Sequence, residues 1–562
     1  MIWAGRHQIF INIWQSYRKL LKFSASPLIL AVLALAPIAV ADSDPEICPR
    51  PRFGSAIPYP ADLRSNGGKI DLNLSFRTFT DRYGLIRYCY LYETKTSSPT
   101  LRLNPGDELI LNLKNDLPAQ EAPAGAEIHR HGTGDCSSGL MSGSSTNLHF
   151  HGLGVPPVCH QDEVIHTLLQ PGDPAFAYRI RIPRDQPPGL YWYHPHPHGF
   201  SERQVVGGAS GALIVEGIEK MKPQVAGLPE RVLVLRDQMI PGRRFGDDDA
   251  SDGPAKDISL NYVAILSPIF RPAVLPVKPA QVEFWRVLNA SADTYFDLQV
   301  RFGPTIQDVH IPQTLELIAM DGVPTGSAPN AAQRQNILLS PGARAEFVVR
   351  TPPVGTYAQL VTRAYDTGPD GERDPYRAIA NISAAVDAPP TPSSIPAVTS
   401  KPQPVSYELQ SIAPAGRRKL FLSEARVDPK DPTSKLVYFI TVDGAIPKVF
   451  DMHQAKPDVT VLGGTVEDWT IENRAREAHA FHIHQIHFQV LERDGRDALE
   501  PMLRDTIDLP FWDGQEPYPS VKLRMDFRAP EIVGTFLFHC HLLEHEDGGM
   551  MGSILVLPVE NR

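Results

Sequence analysis

The 562-residue sequence predicts an all-β protein made of three Greek-key β-sandwich domains in tandem. Three observations carry that expectation. Turn formers are abundant, with 54 prolines and 41 glycines, a composition that favours many short strands over long helices. Apolar residues alternate at period two along much of the chain. One strand-and-turn pattern recurs three times at long spacing. At ~150 residues per domain the length accommodates three or four units, each able to bury a core. Acidic residues exceed Lys plus Arg, 64 against 54, so the overall field attracts neither nucleic acid nor an anionic membrane surface.

The first 41 residues stand apart. Arg18, Lys19 and Lys22 precede the apolar run "PLILAVLALAPIAV", and Ala39-Val40-Ala41 supplies the small residues of a cleavage site. Export to the periplasm or the exterior is expected. The run is short for the ~20 residues that cross a bilayer, and membrane attachment is expected only if the segment stays uncleaved. "SYRKLLKF" loosely resembles a twin-arginine signal with Lys in the second basic position. In an exported chain four of the five cysteines, Cys48, Cys89, Cys136 and Cys159, can form two disulfides in any of three pairings, leaving Cys540 as a thiol.

Beyond residue 60 the strands follow in order. Leu101 and Leu103 precede a Pro-Gly-Asp turn, and Leu109, Leu111 and Leu113 share one face after it. Phe176, Tyr178, Ile180 and Ile182 repeat the alternation, as do Val521, Leu523, Met525 and Phe527. The threefold pattern is "PPGLYWYHPHPHG" from Pro187, "PPVGTYAQLVTR" from Pro352 and "PEIVGTFLFHCHLLEH" from Pro530. An earlier element repeats as well: "TNLHFHG" first, "HAFHIHQIHF" last, with "ASADTYFDLQV" at the matching place between them. Connectors near 217 and 390 divide the chain into 42–217, 218–390 and 391–562. The outer copies of the pattern keep histidines and the middle copy has none, so the middle unit reads as a spacer that brings the ends together.

Ten of the 19 histidines lie in four clusters: His149 and His151; His194 and His196; His479, His482 and His484; His539, His541 and His545. A His-x-His pair on a strand presents both imidazoles on one face. Two facing pairs per outer unit supply eight: His149, His151, His194, His196, His482, His484, His539 and His541. Imidazoles alone suit copper, zinc, iron or nickel. Cys540 narrows the choice. It lies between His539 and His541, so alternation turns its sulfur to the opposite side, where His479, His545 and Met550 are its natural partners. Two imidazoles, a thiolate and a weak axial thioether form a blue-copper electron-transfer set, whereas zinc neither changes redox state nor uses a distant thioether.

The strings "HFHG", "WYHPHPHG", "HAFHIH" and "HCHLLEHEDGGM", in this order and spacing, resemble those of the multicopper oxidases, the laccase-like proteins of three cupredoxin-like domains. The resemblance runs from about residue 60 to the end. It implies four copper ions per chain: type 1 held by His479, Cys540, His545 and Met550, type 2 by His149 and His482, and a type 3 pair by His151, His194, His196, His484, His539 and His541. It further implies one-electron oxidation of a small-molecule or metal-ion donor at type 1 copper and reduction of dioxygen to water at the other three, in a chain expected to be monomeric. The matching acids in similar proteins relay protons, which assigns that role to Glu546; Asp162 is the candidate second acid, in a loop that lacks the family's usual Asp-Gly.

Other residues carry less. Cys159 is expected in a disulfide, His198 beside the cluster without ligating it, and His487 as an ordinary satisfied histidine. His129 and His131 sit in a Gly/Ser-rich loop that could be a weak metal-entry site. No methionine-rich segment is present to attract Cu(I), so a phenol or aromatic amine is the expected donor. Iron or manganese oxidation would require hard carboxylates beside His479 or His545. The acidic stretch at 245–257 reads as a solvated loop. A blue-copper nitrite reductase would need fewer histidines, and a non-enzymatic exported copper-binding protein would have lost ligands.

Overall fold

In a computed structural model, short alternating segments assemble into six β-sheets, in three sandwiches along the chain. The described residues are 47–93, 96–119, 136, 141–243, 253–326, 332–391, 393–397, 409–431 and 434–559, all within the unit Glu46–Arg562. Residues 1–46, among them the segment expected to direct export, His129, His131 and most of the 245–257 stretch lie outside them. Among the described residues no helix is long and apolar enough to cross a membrane.

The alternation seen in the sequence becomes the inward face of each sheet. In Phe176–Arg181 the residues Phe176, Tyr178 and Ile180 are buried while Arg179 and Arg181 are exposed. Leu109, Leu111 and Leu113 belong to the same core as Leu101 and Leu103; Val521, Leu523, Met525 and Phe527 belong to that of the third sandwich. A middle core gathers Leu233, Trp285, Phe296 and Phe347. Burying a Leu or Phe side chain stabilises by roughly 1.5–3 kcal/mol, and these cores hold the sheets face to face.

The threefold sequence pattern is a threefold strand order. Gly211–Val215, Gly189–His194 and His149–His151 are neighbours in one sheet of the first sandwich. Arg377–Ala384, Tyr357–Arg363 and Phe296–Gly303 are neighbours in the middle. Met551–Leu557, Gly534–Cys540 and His479–Ile483 repeat the order in the third. The two outer copies therefore place their histidine strands side by side, as the motif spacing requires. Ser393–Ser394 pairs back with Pro229–Gln238 of the middle sandwich.

Disulfides join Cys48 to Cys89 and Cys136 to Cys159, and Cys540 is free and buried. The first and middle sandwiches share an apolar layer of Leu190, Trp192, Ala212 and Ile214 against Val232, Val234, Leu288 and Ala290. Beside it runs a buried charge network: Arg102 donates to Glu230 at 2.7 Å, and Arg286 bridges Glu230 and Glu346. Glu346 also accepts the Leu190 amide at 2.8 Å.

Such a pair tolerates replacement of both partners better than loss of one. Arg286→Met strands the Glu346 carboxylate in the interior and should lower unfolding free energy by about 3–5 kcal/mol, read as a reduced denaturant midpoint; an unchanged midpoint would show that the network contributes little.

Candidate metal centres

Register brings the histidine strands together in two places. His149 lies opposite His194 across the pair formed with Gly189–His194. His482 lies opposite His539, and Phe481 opposite Cys540. Adjacent strand residues face opposite sides, so His539 meets His196 of the first sandwich while Cys540 turns into the core of the third.

Eight imidazoles form one buried cluster. Their nitrogens lie within 4.8 Å of one another in groups of three, the first two sharing His151: His149, His151 and His482; His151, His194 and His541; His196, His484 and His539. His149 stacks on His484 with ring centres 3.9 Å apart, and His151 on His482 at 3.8 Å. The Nε2 atom of His539 is 3.1 Å from that of His484 and 3.4 Å from that of His196.

Four of the rings are anchored at Nδ1. His149 Nδ1 meets Asp162 at 3.0 Å, His194 Nδ1 meets the Pro195 carbonyl at 3.0 Å, His482 Nδ1 the Asp505 carbonyl at 2.8 Å and His539 Nδ1 the Cys540 carbonyl at 2.9 Å. The inner nitrogens are left over: His149 Nε2, His151 Nδ1, His194 Nε2, His482 Nε2, His484 Nδ1 and both of His541 are buried without a hydrogen-bond partner. An unsatisfied buried polar atom costs about 1–3 kcal/mol, and so many converging on one point fit metal ions. One anchored nitrogen and one free lone pair is the arrangement of a metal-ligating histidine.

Electrostatics prepares the rings for that role. Burial, reinforced by mutual repulsion, pushes His151, His194, His196, His482, His484 and His539 well below the ordinary imidazole pKa. His541 is pushed down to about 3, first by burial. Neutral imidazoles are ligands; imidazolium is not.

The second centre is built around Cys540. Its Sγ lies 3.6 Å from His479 Nδ1 and 3.7 Å from His545 Nδ1, and those two nitrogens are 3.1 Å apart. His545 comes from the helical turn Leu543–Asp547, whose chain continues to Met550. The Cys540 amide donates to the Met550 carbonyl at 3.1 Å and the Met550 amide to the His545 carbonyl at 2.8 Å, closing the segment into a loop around the sulfur. Met550 is buried in the same core as Cys540. Tyr438 stacks on His545 with ring centres 4.2 Å apart.

Glu546 lies between the ligand rings, its carboxylate oxygens 3.6 Å from His196 Nδ1 and 3.2 Å from His539 Nδ1. Burial, with Asp547 beside it, raises its pKa well above the usual carboxyl range. Asp162, fully enclosed, accepts from the Phe150 amide at 2.9 Å and from Gln485 at 2.6 Å besides contacting His149. His487 faces the Asp321 carbonyl at 3.2 Å. Four residues near the centres were missed: Glu477, Asp505, Arg344 and Gln485. Gln485, inside the third motif directly after His484, and Glu477, two positions before His479, were within reach of the motifs; Glu477 Oε2 lies 3.3 Å from His545 Nε2. Arg344 comes from the middle sandwich, which supplies none of the ligand histidines, and Gly342 there packs so tightly that an added Cβ would meet His541 at 2.7 Å.

Comparison with known proteins agrees with this geometry. Family profiles described as multicopper oxidase match residues 139–220 and 426–560. A multicopper oxidase of Staphylococcus haemolyticus is 26% identical over 473 residues, covering 83% of each chain. A laccase of Haloferax volcanii is 26% identical, covering 82% of this chain and 76% of its own. In fold, the chain is similar to a Campylobacter jejuni multicopper oxidase described as a metallo-oxidase, with a TM-score of 0.63 at 22% identity over 90% of this chain and 96% of that one. It is also similar to a multicopper oxidase of Aquifex aeolicus, with a TM-score of 0.64 at 20% identity over 89% and 99%.

The depressed imidazoles set a pH dependence for the metal-free chain. Unfolded histidine takes up protons below about pH 6.5, whereas the buried rings resist them. Stability is therefore intact above that value and falls as pH drops toward the folded pKa, about 3 for His541. Each such ring contributes about 1.4 kcal/mol per pH unit. Burial lowers His545, but Glu477 and the Cys540 sulfur raise it on balance, so it opposes them, as do buried acids such as Asp547 and Asp374, each pushed up to about 7 first by burial, which take up protons in the folded state first. In metal-free protein, His541→Asn should reduce the loss of Tm between pH 7 and pH 5 relative to the parent, because it removes one depressed ring; an unchanged pH dependence would contradict the neutral cluster.

Proposed function

Because this chain belongs to the multicopper oxidase family, we propose that it withdraws single electrons from a donor at the Cys540 centre and delivers them to dioxygen at the eight-histidine centre. The observation that carries the reading is the position of Cys540, whose sulfur serves one centre while the flanking His539 and His541 serve the other. The ligand set fits copper: His479, Cys540, His545 and Met550 would hold type 1, His149 and His482 type 2, and His151, His194, His196, His484, His539 and His541 the type 3 pair. Copper bound there supplies a one-electron acceptor at the thiolate and, from four ions together, the electrons that reduce dioxygen to two waters.

The chain's own residues provide path and protons. Covalent bonds lead from the Cys540 sulfur through its backbone to both neighbouring histidines, and the contact between His539 Nδ1 and the Cys540 carbonyl at 2.9 Å adds a short parallel route. Glu546, its acidity suppressed by burial, lies within reach of His196 and His539 and is the acid that passes protons toward the cluster. Asp162 holds His149 from the other side and is the second acid of the scheme.

Donors meet the protein at the outer edge of His545. A phenol or aromatic amine fits through Glu477, which can accept the O–H or N–H proton released on oxidation. A second reading, a metal-ion donor, is favoured by one observation for Fe(II) or Mn(II), though not for the softer Cu(I). Glu477 lies against His545 Nε2, and Glu424 is close enough that burial and then the charge of Glu477 push it up to about 6. Paired carboxylates suit a hard cation. The two disulfides support an oxidising compartment, periplasm or exterior.

Cys540→Ser should abolish the blue absorption and the oxidation of every donor while the histidine cluster still binds copper; blue colour that persists would remove Cys540 from the type 1 site. Parallel turnover of a phenol, Fe(II), Mn(II) and Cu(I) by the parent and Glu477→Gln separates the donor readings. Metal-ion oxidation predicts a KM raised about tenfold for the ions, the loss of ~1.4 kcal/mol of binding, with the phenol little affected. No turnover of the ions by either protein would leave the phenol reading alone.

A further inference from the structure

The eight ligand rings are not anchored alike. His149, His194, His482 and His539 are held at Nδ1, but His151 is held at Nε2, 3.2 Å from Asp505 Oδ1, and its free buried nitrogen is Nδ1. An ionised carboxylate only accepts, so this contact requires the proton on Nε2 and leaves the Nδ1 lone pair for the cluster. Asp505 also anchors His482, through its backbone carbonyl at 2.8 Å, and these two rings stack at 3.8 Å. One residue thus sets two ligands.

Asp505 is itself held from another sandwich. Arg344, at the start of Arg344–Arg350, reaches it with two parallel bonds, Nη1 to Oδ1 and Nη2 to Oδ2, both 2.7 Å. All these side chains are fully buried. The same guanidinium donates from Nε to the Leu190 carbonyl at 3.1 Å, on the strand that ends at His194. Gly152, immediately after His151, has φ +88, and a Cβ there would lie 2.6 Å from Arg344 Nη2 and 2.7 Å from Asp505 Oδ2. The space around the clamp is closed.

Resting on the reading of the eight imidazoles as a copper cluster, we infer that Arg344 is a positioning residue: through Asp505 it fixes the tautomer and orientation of His151. The middle sandwich, which supplies no ligand, thereby acts on the cluster. A fork-shaped pair is suited to this because two bonds define the plane of the carboxylate, which a single ammonium contact does not.

The test uses full-length, copper-loaded protein. Asp505→Asn keeps the shape but offers one acceptor oxygen where the guanidinium requires two and His151 a third contact. Retention of the histidine-bound copper against a chelator should fall about 10- to 100-fold, and the fraction of copper visible by electron paramagnetic resonance should rise as the spin-coupled pair separates, with the blue absorption at Cys540 kept. Arg344→Lys should give a smaller loss in the same direction. Arg524→Met, which breaks the pair with Asp468 at 2.7 and 3.0 Å, should lower the unfolding midpoint without changing copper retention. Unchanged retention in Asp505→Asn, or an equal loss in Arg524→Met, overturns the inference in favour of a purely structural tie. If Asp505→Asn does not fold, Arg344→Lys decides by the same criteria, and failure of both to fold also assigns the pair to folding. If the unsubstituted protein holds no copper beyond that at Cys540, the oxidase reading falls and this inference with it, an outcome distinct from the others.

Discussion

Consecutive residues of an extended strand point to opposite sides, and the segment His539–His541 uses that constraint to touch two centres with three side chains. The sulfur of Cys540 lies between His479 and His545 inside the third sandwich, while His539 crosses to meet His196 of the first. No other backbone geometry would keep the two centres so close in chain and yet separate in space. The packing of the outer sandwiches, and the middle one that joins them, follow from the need to bring a second set of histidine strands against this segment.

That arrangement is electrostatically costly. Neutral imidazoles with unpartnered nitrogens are buried beside Asp162, Asp505 and Glu546. The carboxylates are accommodated in different ways. Asp505 is matched by Arg344 with two short bonds. Asp162 is satisfied by an amide, a glutamine and a ring nitrogen. Glu546 has no cation matched to it, and its pKa rises. One carboxylate is thereby paired with a guanidinium and orients a ligand, while another lies against two ligand rings without a matched cation, the same chemical group in different surroundings.

Much of this was legible in the sequence because motif residues are local. The period-two pattern fixed the strands, the repeats matched the strand order, and the His-x-His pairs with Cys540 named the residues the fold gathers. What escaped is nonlocal. Asp505 lies 21 positions beyond His484 by the numbering and becomes important only because Thr506–Leu509 pairs with the ligand strand. Arg344 belongs to the unit that read as a spacer, and no periodicity marks a residue whose partner is in another domain. Glu477 shares the approach to His479, yet only the fold reveals that it faces His545 instead. The disulfide pairing needed coordinates too, because three pairings were equally compatible with the sequence.

The central claim is that one thiolate joins two copper centres of different construction. Anomalous X-ray scattering at the copper edge, from crystals of copper-loaded protein, tests it most directly. The account predicts one peak bonded to the sulfur of Cys540 and three among the eight imidazoles. A sulfur without metal, or a histidine cluster with fewer than three peaks at full loading, would contradict it.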